Sequence, residues 1–202
     1  IKAKALKDEG KDVIVLAAGE PDFNTPKNIR DAASKAMEEG KTKYVPGKGT
    51  PELQKAIQRK FKEDNNINYQ LDEIICGVGG KHIIYNAMMA TINPGDEVII
   101  TAPFWVSYPD IVLLAEGKPV IVECPQSQNF KITPEQLDKN INSNTKWLML
   151  NSPSNPTGSV YSKKELEDLA HILKKYPNVL IMCDDIYEKI IYDELEFHTL
   201  AS

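Results

Sequence analysis

The chain has 202 residues, of which 42% are hydrophobic and 26% are charged, a mix that is typical of globular proteins and excludes a largely disordered chain. With 24 basic and 29 acidic side chains, its net charge of −5 argues against binding to nucleic acid. Its apolar runs are far shorter than the ~20 residues that a membrane helix needs. Three widely separated cysteines argue against a disulfide framework and a zinc site, so we expect a reduced, cytoplasmic protein without a metal.

The N-terminal quarter of the sequence predicts helices separated by Gly- and Pro-rich turns. A first helix ends at Gly10, and a short apolar strand follows at Val13–Ala17. Thr25-Pro26 predicts a helix start, because Pro suits the first helical position. This helix has apolar residues at helical spacing and ends at Gly40. Pro51 begins the next helix, after a loop rich in Gly and Pro.

From residue 74 onward, apolar strands alternate with helices. The predicted strands are Ile74–Val78, Val98–Thr101, Val120–Cys124, Trp147–Leu150 and Leu180–Cys183. The predicted helices between them are Lys81–Thr91, Trp105–Glu116, Pro134–Lys139 and Lys163–Tyr176. This alternation predicts a three-layer α/β/α fold with a mostly parallel sheet. Ligands of such sheets bind beyond the carboxyl ends of the strands, so the residues that follow each strand are the candidates for a site.

The loop after the first predicted strand, Gly77–His82, reads GVGGKH. Small residues that open a helix favour anion binding, because free N–H groups and the helix dipole face the ligand. The loop is not a P-loop, since it lacks the first Gly and has His82 in place of Ser or Thr, and it is not a dinucleotide fingerprint. A tight turn without a ligand explains the same residues.

Two further loops follow predicted strands. Trp105 comes just after the second strand, where its ring could stack on a planar heterocycle or pack in the core. The segment Asn151–Gly158 is dense in turn-forming residues, which hold the Asn155 amide in one direction. A plain turn is the simpler interpretation of that segment, although its place directly after a buried strand suggests a site.

Two carboxylates, Asp184 and Asp185, stand at the end of the last predicted strand. Buried carboxylates are costly unless a positive group meets them. A metal ion or a protonated ring nitrogen would serve, and no further ligand cluster supports the metal. Tyr187 is three residues further on. These strand ends together offer a phosphate cradle, an aromatic ring, an amide, a carboxylate and a phenol. This set of groups suits pyridoxal 5'-phosphate, a cofactor whose electronic properties are tuned by the protein groups around it.

The sequence also resembles a known family. Its motifs include GEPDF (19–23), KTKY (41–44), PGDEV (94–98), NSP with NPTG (151–158), and the segment from Asp184 to Glu188. In this order they resemble the class I aminotransferases of the pyridoxal-phosphate fold-type-I superfamily, and among these most of all the bacterial aspartate or aspartate/prephenate aminotransferases. The one departure is Asp185, where the family usually has Glu.

The resemblance implies roles for residues of this chain. It places Gly79, Gly80 and Lys81 at the cofactor phosphate through main-chain N–H groups, and Trp105 on the pyridine ring. The remaining roles concern five side chains and one glycine. Asp184 would pair with the ring nitrogen of the cofactor, and Asn155 and Tyr187 would hydrogen-bond the phenolic oxygen of the ring. Asn155 and Trp105 would also touch the substrate, near which Gly19 would lie. Tyr44 would reach the cofactor phosphate in a neighbouring subunit.

The resemblance also implies an architecture and a reaction. Residues 1–22 would belong to a small domain and residues 23–202 to part of the pyridoxal-phosphate-binding domain. The family sheet has the strand order 3-2-4-5-6-7-1, of which this chain supplies strands 1–5. The implied reaction transfers an amino group from L-aspartate, or a related amino acid, to a 2-oxo acid such as 2-oxoglutarate or prephenate, in a homodimer with shared active sites.

No Lys of this chain matches the family's Schiff-base Lys, which lies a few tens of residues beyond the equivalent of Ser202. We therefore expect this front portion to be inactive alone. Two alternatives remain open at this stage. One is a different reaction on the same fold, such as a carbon–sulfur lyase or an aminotransferase of other specificity. The other is a transcriptional regulator with an aminotransferase-like effector domain, which would carry a basic helix-turn-helix upstream.

Overall fold

The computed structural model describes residues 2–14, 19, 21 and 23–202, and the chain divides into two compact units, residues 1–45 and 46–202. The first unit contains helices α1 (Lys2–Asp8) and α2 (Lys27–Glu38). Pro26 is the N-cap of α2, so this helix begins one residue later than predicted. The predicted strand Val13–Ala17 lies mostly outside the described residues.

The second unit contains the sheet and the helices that cover it. Its helices are α3 (Pro51–Asn65), α4 (Gly80–Thr91), α5 (Ser107–Leu114), α6 (Pro134–Asn140) and α7 (Lys163–Leu173). Its strands are β1 (Glu97–Ala102), β2 (Lys118–Glu123), β3 (Thr145–Asn151) and β4 (Leu180–Asp184). Hydroxyl caps set three helix starts, since Thr50, Thr133 and Ser162 each accept a hydrogen bond from a backbone N–H in the first turn.

The four strands form one parallel sheet in the order β2-β1-β3-β4. This is the 3-2-4-5 part of the strand order expected from the resemblance, so that part of the topology is confirmed. In the register, Ile100 of β1 lies beside Ile121 of β2 and Met149 of β3. All the carboxyl ends therefore meet at one edge of the sheet, and within the described residues the outer side of β4 pairs with no strand.

The prediction of a strand at Ile74–Val78 is wrong. The segment leads into α4 without joining the sheet, and its backbone hydrogen bond runs from Cys76 N to the carbonyl of Lys48, at 3.1 Å. Its apolar residues have the composition of a buried strand, but a strand also needs a neighbouring backbone with which to form a ladder. Among the described residues no strand lies beside this segment.

Helices cover both faces of the sheet, which confirms the three-layer α/β/α prediction. On the α4/α5 face, Val98, Ile100 and Met149 pack with residues of α4 and α5. On the opposite α6/α7 face, Ile99 and Leu148 pack with residues of α6 and α7. Successive strand residues alternate between the faces, and burial on both sides explains why the strands read as continuous apolar runs. No helix in the described ranges has the length and apolar character needed to span a membrane.

Candidate cofactor site

A cavity of about 320 Å³ lies at the carboxyl edge of the sheet. The N-terminus of α4 and the segments that follow β1, β3 and β4 provide its walls. The residues that line it are Gly79, Gly80, Lys81, Ile84, Trp105, Tyr108, Asn151, Asn155, Asp184, Ile186 and Tyr187. Seven of the nine residues predicted from the sequence are among them. The other two, Gly19 and Tyr44, belong to the first unit, and their roles stay predictions.

The N-terminus of α4 forms one end of the cavity. Gly79 is the N-cap with φ of +98°, a left-handed conformation that other residues adopt only with strain. Gly77 has no room for a side chain, because an added Cβ would lie 2.5 Å from Ile83 Cδ1 and 2.9 Å from His82 Nδ1. The His82 ring turns back and accepts a hydrogen bond from Val78 N at 3.3 Å. The first N–H groups of a helix lack intrahelical partners, so this end suits an anion.

Trp105 provides an aromatic wall. It is half-buried and packs partly against the core of the α4/α5 face, while its remaining surface lines the cavity. The ammonium of Lys81 lies 5.0 Å from the centroid of its ring, and the Tyr108 ring meets it edge-on at a centroid distance of 5.4 Å. The two interpretations of Trp105, core residue and stacking platform, therefore both describe part of its surroundings.

Asp184 lies at the end of β4 and accepts a short hydrogen bond. The Tyr108 hydroxyl donates to its Oδ2 at 2.6 Å, whereas Ile186 N makes a longer contact of 3.4 Å with Oδ1. Burial in the core is the main cause that raises the pKa of Tyr108, and the negative charge of Asp184 raises it further. The phenol therefore stays protonated and serves as a donor.

Asn151, for which the sequence predicts no role, joins two loops of the site. Its Nδ2 donates to the backbone carbonyl of Asp184 at 2.7 Å, and its Oδ1 accepts a hydrogen bond from Asn155 N at 2.7 Å. One amide thus fixes the end of β4 and the turn that presents Asn155. Its position as the last residue of β3 was the available signal, since a polar side chain at a strand's carboxyl end faces the site.

Asp185 does not line this cavity. It borders a second one of about 760 Å³ between α3 and β4. Burial is the main cause that raises the pKa of Asp185 to about 6; a hydrogen bond from Thr199 opposes the shift, and the charges of Glu188 and Asp184 add to it. The same turn is tied to α3 by a salt bridge of 2.6 Å between Lys60 and Glu188. The two adjacent carboxylates therefore have different surroundings.

Comparison with known proteins agrees with this geometry. The family model described as aminotransferase class I and II matches residues 11–202. The chain belongs to this family. A probable aspartate/prephenate aminotransferase of Rickettsia bellii is 56% identical over 200 residues, which are 99% of this chain and 50% of that protein. The chain spans about half the length of the curated relatives that it matches.

Solved structures of the family have the same fold. The aspartate aminotransferase from Rhizobium meliloti superposes with a TM-score of 0.95 at 50% identity, covering 99% of this chain and 50% of that one. The aspartate aminotransferase from Thermus thermophilus with maleate gives a TM-score of 0.92 at 42% identity, covering 99% of this chain and 53% of that one. The predicted fold class and family resemblance are both confirmed.

Proposed function

We propose that this chain is the cofactor-binding half of a pyridoxal-phosphate-dependent aminotransferase. The observation that carries the proposal is that a helix N-terminus suited to an anion, an aromatic wall and a strand-end carboxylate line one cavity. The substrates we propose are L-aspartate, or a related amino acid, and a 2-oxo acid such as 2-oxoglutarate or prephenate. The names of the aspartate and aspartate/prephenate relatives support this choice.

The donor set of the cavity fits pyridoxal 5'-phosphate. The N–H groups at Gly79–Lys81 suit its phosphate, and the Trp105 ring suits its flat heterocycle. The amide of Asn155 and the phenol of Tyr187 are hydrogen-bond donors for its phenolic oxygen. Asp184 is an acceptor for a protonated ring nitrogen. When bound, the cofactor supplies an electron sink for the bond that breaks at the amino acid's Cα.

The residues of this chain would act by keeping the cofactor ring protonated and by orienting the cofactor and the substrate. The Asp184 carboxylate would keep a proton on the ring nitrogen, because a nearby negative charge favours the protonated form of that nitrogen. Trp105 would cover one side of the ring, and Asn155 would also contact the substrate carboxylate. Gly19 would lie near the substrate. A Lys that carries the proton at Cα would come from the further length that the relatives possess.

We also propose a cytoplasmic homodimer with shared active sites, with residues 1–22 in a small domain and residues 23–202 in the cofactor-binding domain. In that dimer Tyr44 would reach the phosphate held by the neighbouring subunit. Mixing full-length Tyr44→Phe protein with Asp184→Ala protein tests this. Hybrid dimers should recover activity if the sites are shared, whereas hybrids that form without any recovery would show that Tyr44 serves its own chain.

The test of the reaction uses the full-length protein. Purified protein should bind pyridoxal 5'-phosphate, with the absorption of a bound cofactor, and should form oxaloacetate from L-aspartate with 2-oxoglutarate or prephenate as acceptor. Release of sulfide from cysteine without transamination would favour the lyase. A protein that binds the cofactor and a DNA site but turns over no amino acid would favour the regulator.

A further inference from the structure

Tyr108 is the residue whose surroundings the proposed function leaves unexplained. It lies in the first turn of α5 with only 3% of its surface exposed. Its backbone N–H bonds to the carbonyl of Trp105 at 3.1 Å, and its hydroxyl donates to Asp184 Oδ2 at 2.6 Å. One residue of α5 therefore contacts both the aromatic wall and the strand-end carboxylate of the cavity.

The hydrogen bond has a fixed direction. An ionised carboxylate only accepts hydrogen bonds, so the phenol must donate. The Tyr108 ring is held by the core of the α4/α5 face and by its edge-on contact with Trp105. Because such a ring cannot turn without disturbing its neighbours, the position of its hydroxyl is set by packing, and the hydroxyl in turn sets the position of Oδ2.

The other carboxylate oxygen retains capacity for a ligand. Oδ1 has the longer contact of 3.4 Å from Ile186 N, while a carboxylate offers about four acceptor sites. The backbone of Asp184 is fixed separately, by the Asn151 amide at its carbonyl. Main chain and side chain of Asp184 are thus both held before a ligand arrives, which reduces the ordering cost of binding.

We propose that Tyr108 is a positioning residue that fixes the Asp184 carboxylate for the protonated ring nitrogen of the cofactor. This inference rests on the proposed function. Hydrogen bonds to charged groups are among the stronger ones. Loss of the phenol hydroxyl should therefore weaken the pair between Asp184 and the ring nitrogen and leave the cavity in place.

The test compares two buried tyrosines in the full-length protein. Tyr108→Phe keeps the ring and removes the donor. Tyr161→Phe is the matched control, because Tyr161 is also buried but lies in the core of the α6/α7 face, where its hydroxyl accepts from Ile132 N at 2.8 Å. Titration of the apoprotein with pyridoxal 5'-phosphate, the absorption band of the bound cofactor and the melting temperature are the three measurements.

We expect Tyr108→Phe to raise the cofactor dissociation constant about tenfold and to change the absorption band, whereas Tyr161→Phe should lower the melting temperature alone. In an Asp184→Asn background, Tyr108→Phe should add less than about twofold, because coupled residues are not additive. The inference would be overturned, and the proposed function left standing, by either of two results. One is wild-type cofactor affinity and absorption in Tyr108→Phe, and the other is an undiminished loss of cofactor affinity when Tyr108→Phe is added to Asp184→Asn. A wild-type protein that binds no cofactor would overturn the proposed function as well.

Discussion

Each face of the sheet contains a buried tyrosine with a bonded hydroxyl, and the difference between these two tyrosines locates the site. On the α6/α7 face, the Tyr161 hydroxyl bonds to the backbone N–H of Ile132. On the α4/α5 face, Tyr108 bonds to the carboxylate of Asp184, which lines a cavity. Burial is the main cause that raises the pKa of both phenols. Burial therefore does not distinguish a structural tyrosine from a tyrosine at the site. The charge of the group to which the hydroxyl bonds does distinguish them.

The same division separates the two adjacent aspartates. Alternation along β4 puts Asp184 in line with Met182, which packs on the α4/α5 face. It puts Asp185 in line with Cys183 and Ile181, with which it borders the second cavity. Consecutive residues of an extended chain point to opposite faces, so one carboxylate reaches the site and its neighbour does not.

The largest effect should follow removal of the carboxylate on the α4/α5 face. Asp184→Ala should lower transamination by the full-length protein about 10²- to 10⁴-fold, because no group then holds the proton on the ring nitrogen. The fold should persist, with a modest fall in melting temperature as the Tyr108 hydroxyl loses its acceptor. Steady-state kinetics measure the loss of transamination, and thermal unfolding measures the change in melting temperature. Near-normal turnover would show that Asp184 is not the partner of the ring nitrogen.

A core substitution on the α6/α7 face should have the opposite signature. Leu148 of β3 is fully buried there, and Leu148→Ala should lower the free energy of unfolding by about 2–5 kcal/mol. The cofactor dissociation constant of the folded protein should remain within about twofold, because the cavity lies on the other face. Denaturant unfolding and cofactor titration test this, and a large loss of affinity would mean that the two faces are coupled.

The pH dependence of stability tests the contrast between the aspartates. Since the folded-state pKa of Asp185 is raised from 3.8 to about 6, its contribution to stability is fully present below pH ~4 and is lost as pH rises to ~6. Asp185→Asn should therefore be more stable than the wild type above pH 6, by up to about 3 kcal/mol, and similar to it near pH 4. Unfolding between pH 4 and 8 measures the difference, and parallel pH curves would contradict the prediction.

The smallest effect should come from the aromatic wall. Trp105→Ala should weaken cofactor binding about two- to tenfold through lost stacking and change the absorption band. The melting temperature of the apoprotein should fall less than that of the holoprotein, because only the holoprotein loses a contact between Trp105 and the cofactor as well as its packing. Equal destabilisation of both forms would assign Trp105 to the core of the α4/α5 face.

The sequence by itself determined the helices, four of the strands and the clustering of most site residues. Apolar periodicity and capping residues are local signals, and the carboxyl ends of parallel strands always meet at one edge. That is why Gly79, Trp105, Asn155 and Asp184 could be assigned to one site before their contacts were known.

Only the tertiary structure decided what depends on distant partners. Ile74–Val78 has the composition of a strand, yet a ladder requires a neighbouring backbone that no local pattern reports. The bond between Tyr108 and Asp184 joins residues 76 positions apart, and the Asn151 amide reaches 33 positions to β4. Such contacts arise from how the layers pack, so the sequence could name the groups at the site but not the pairs that hold them in place.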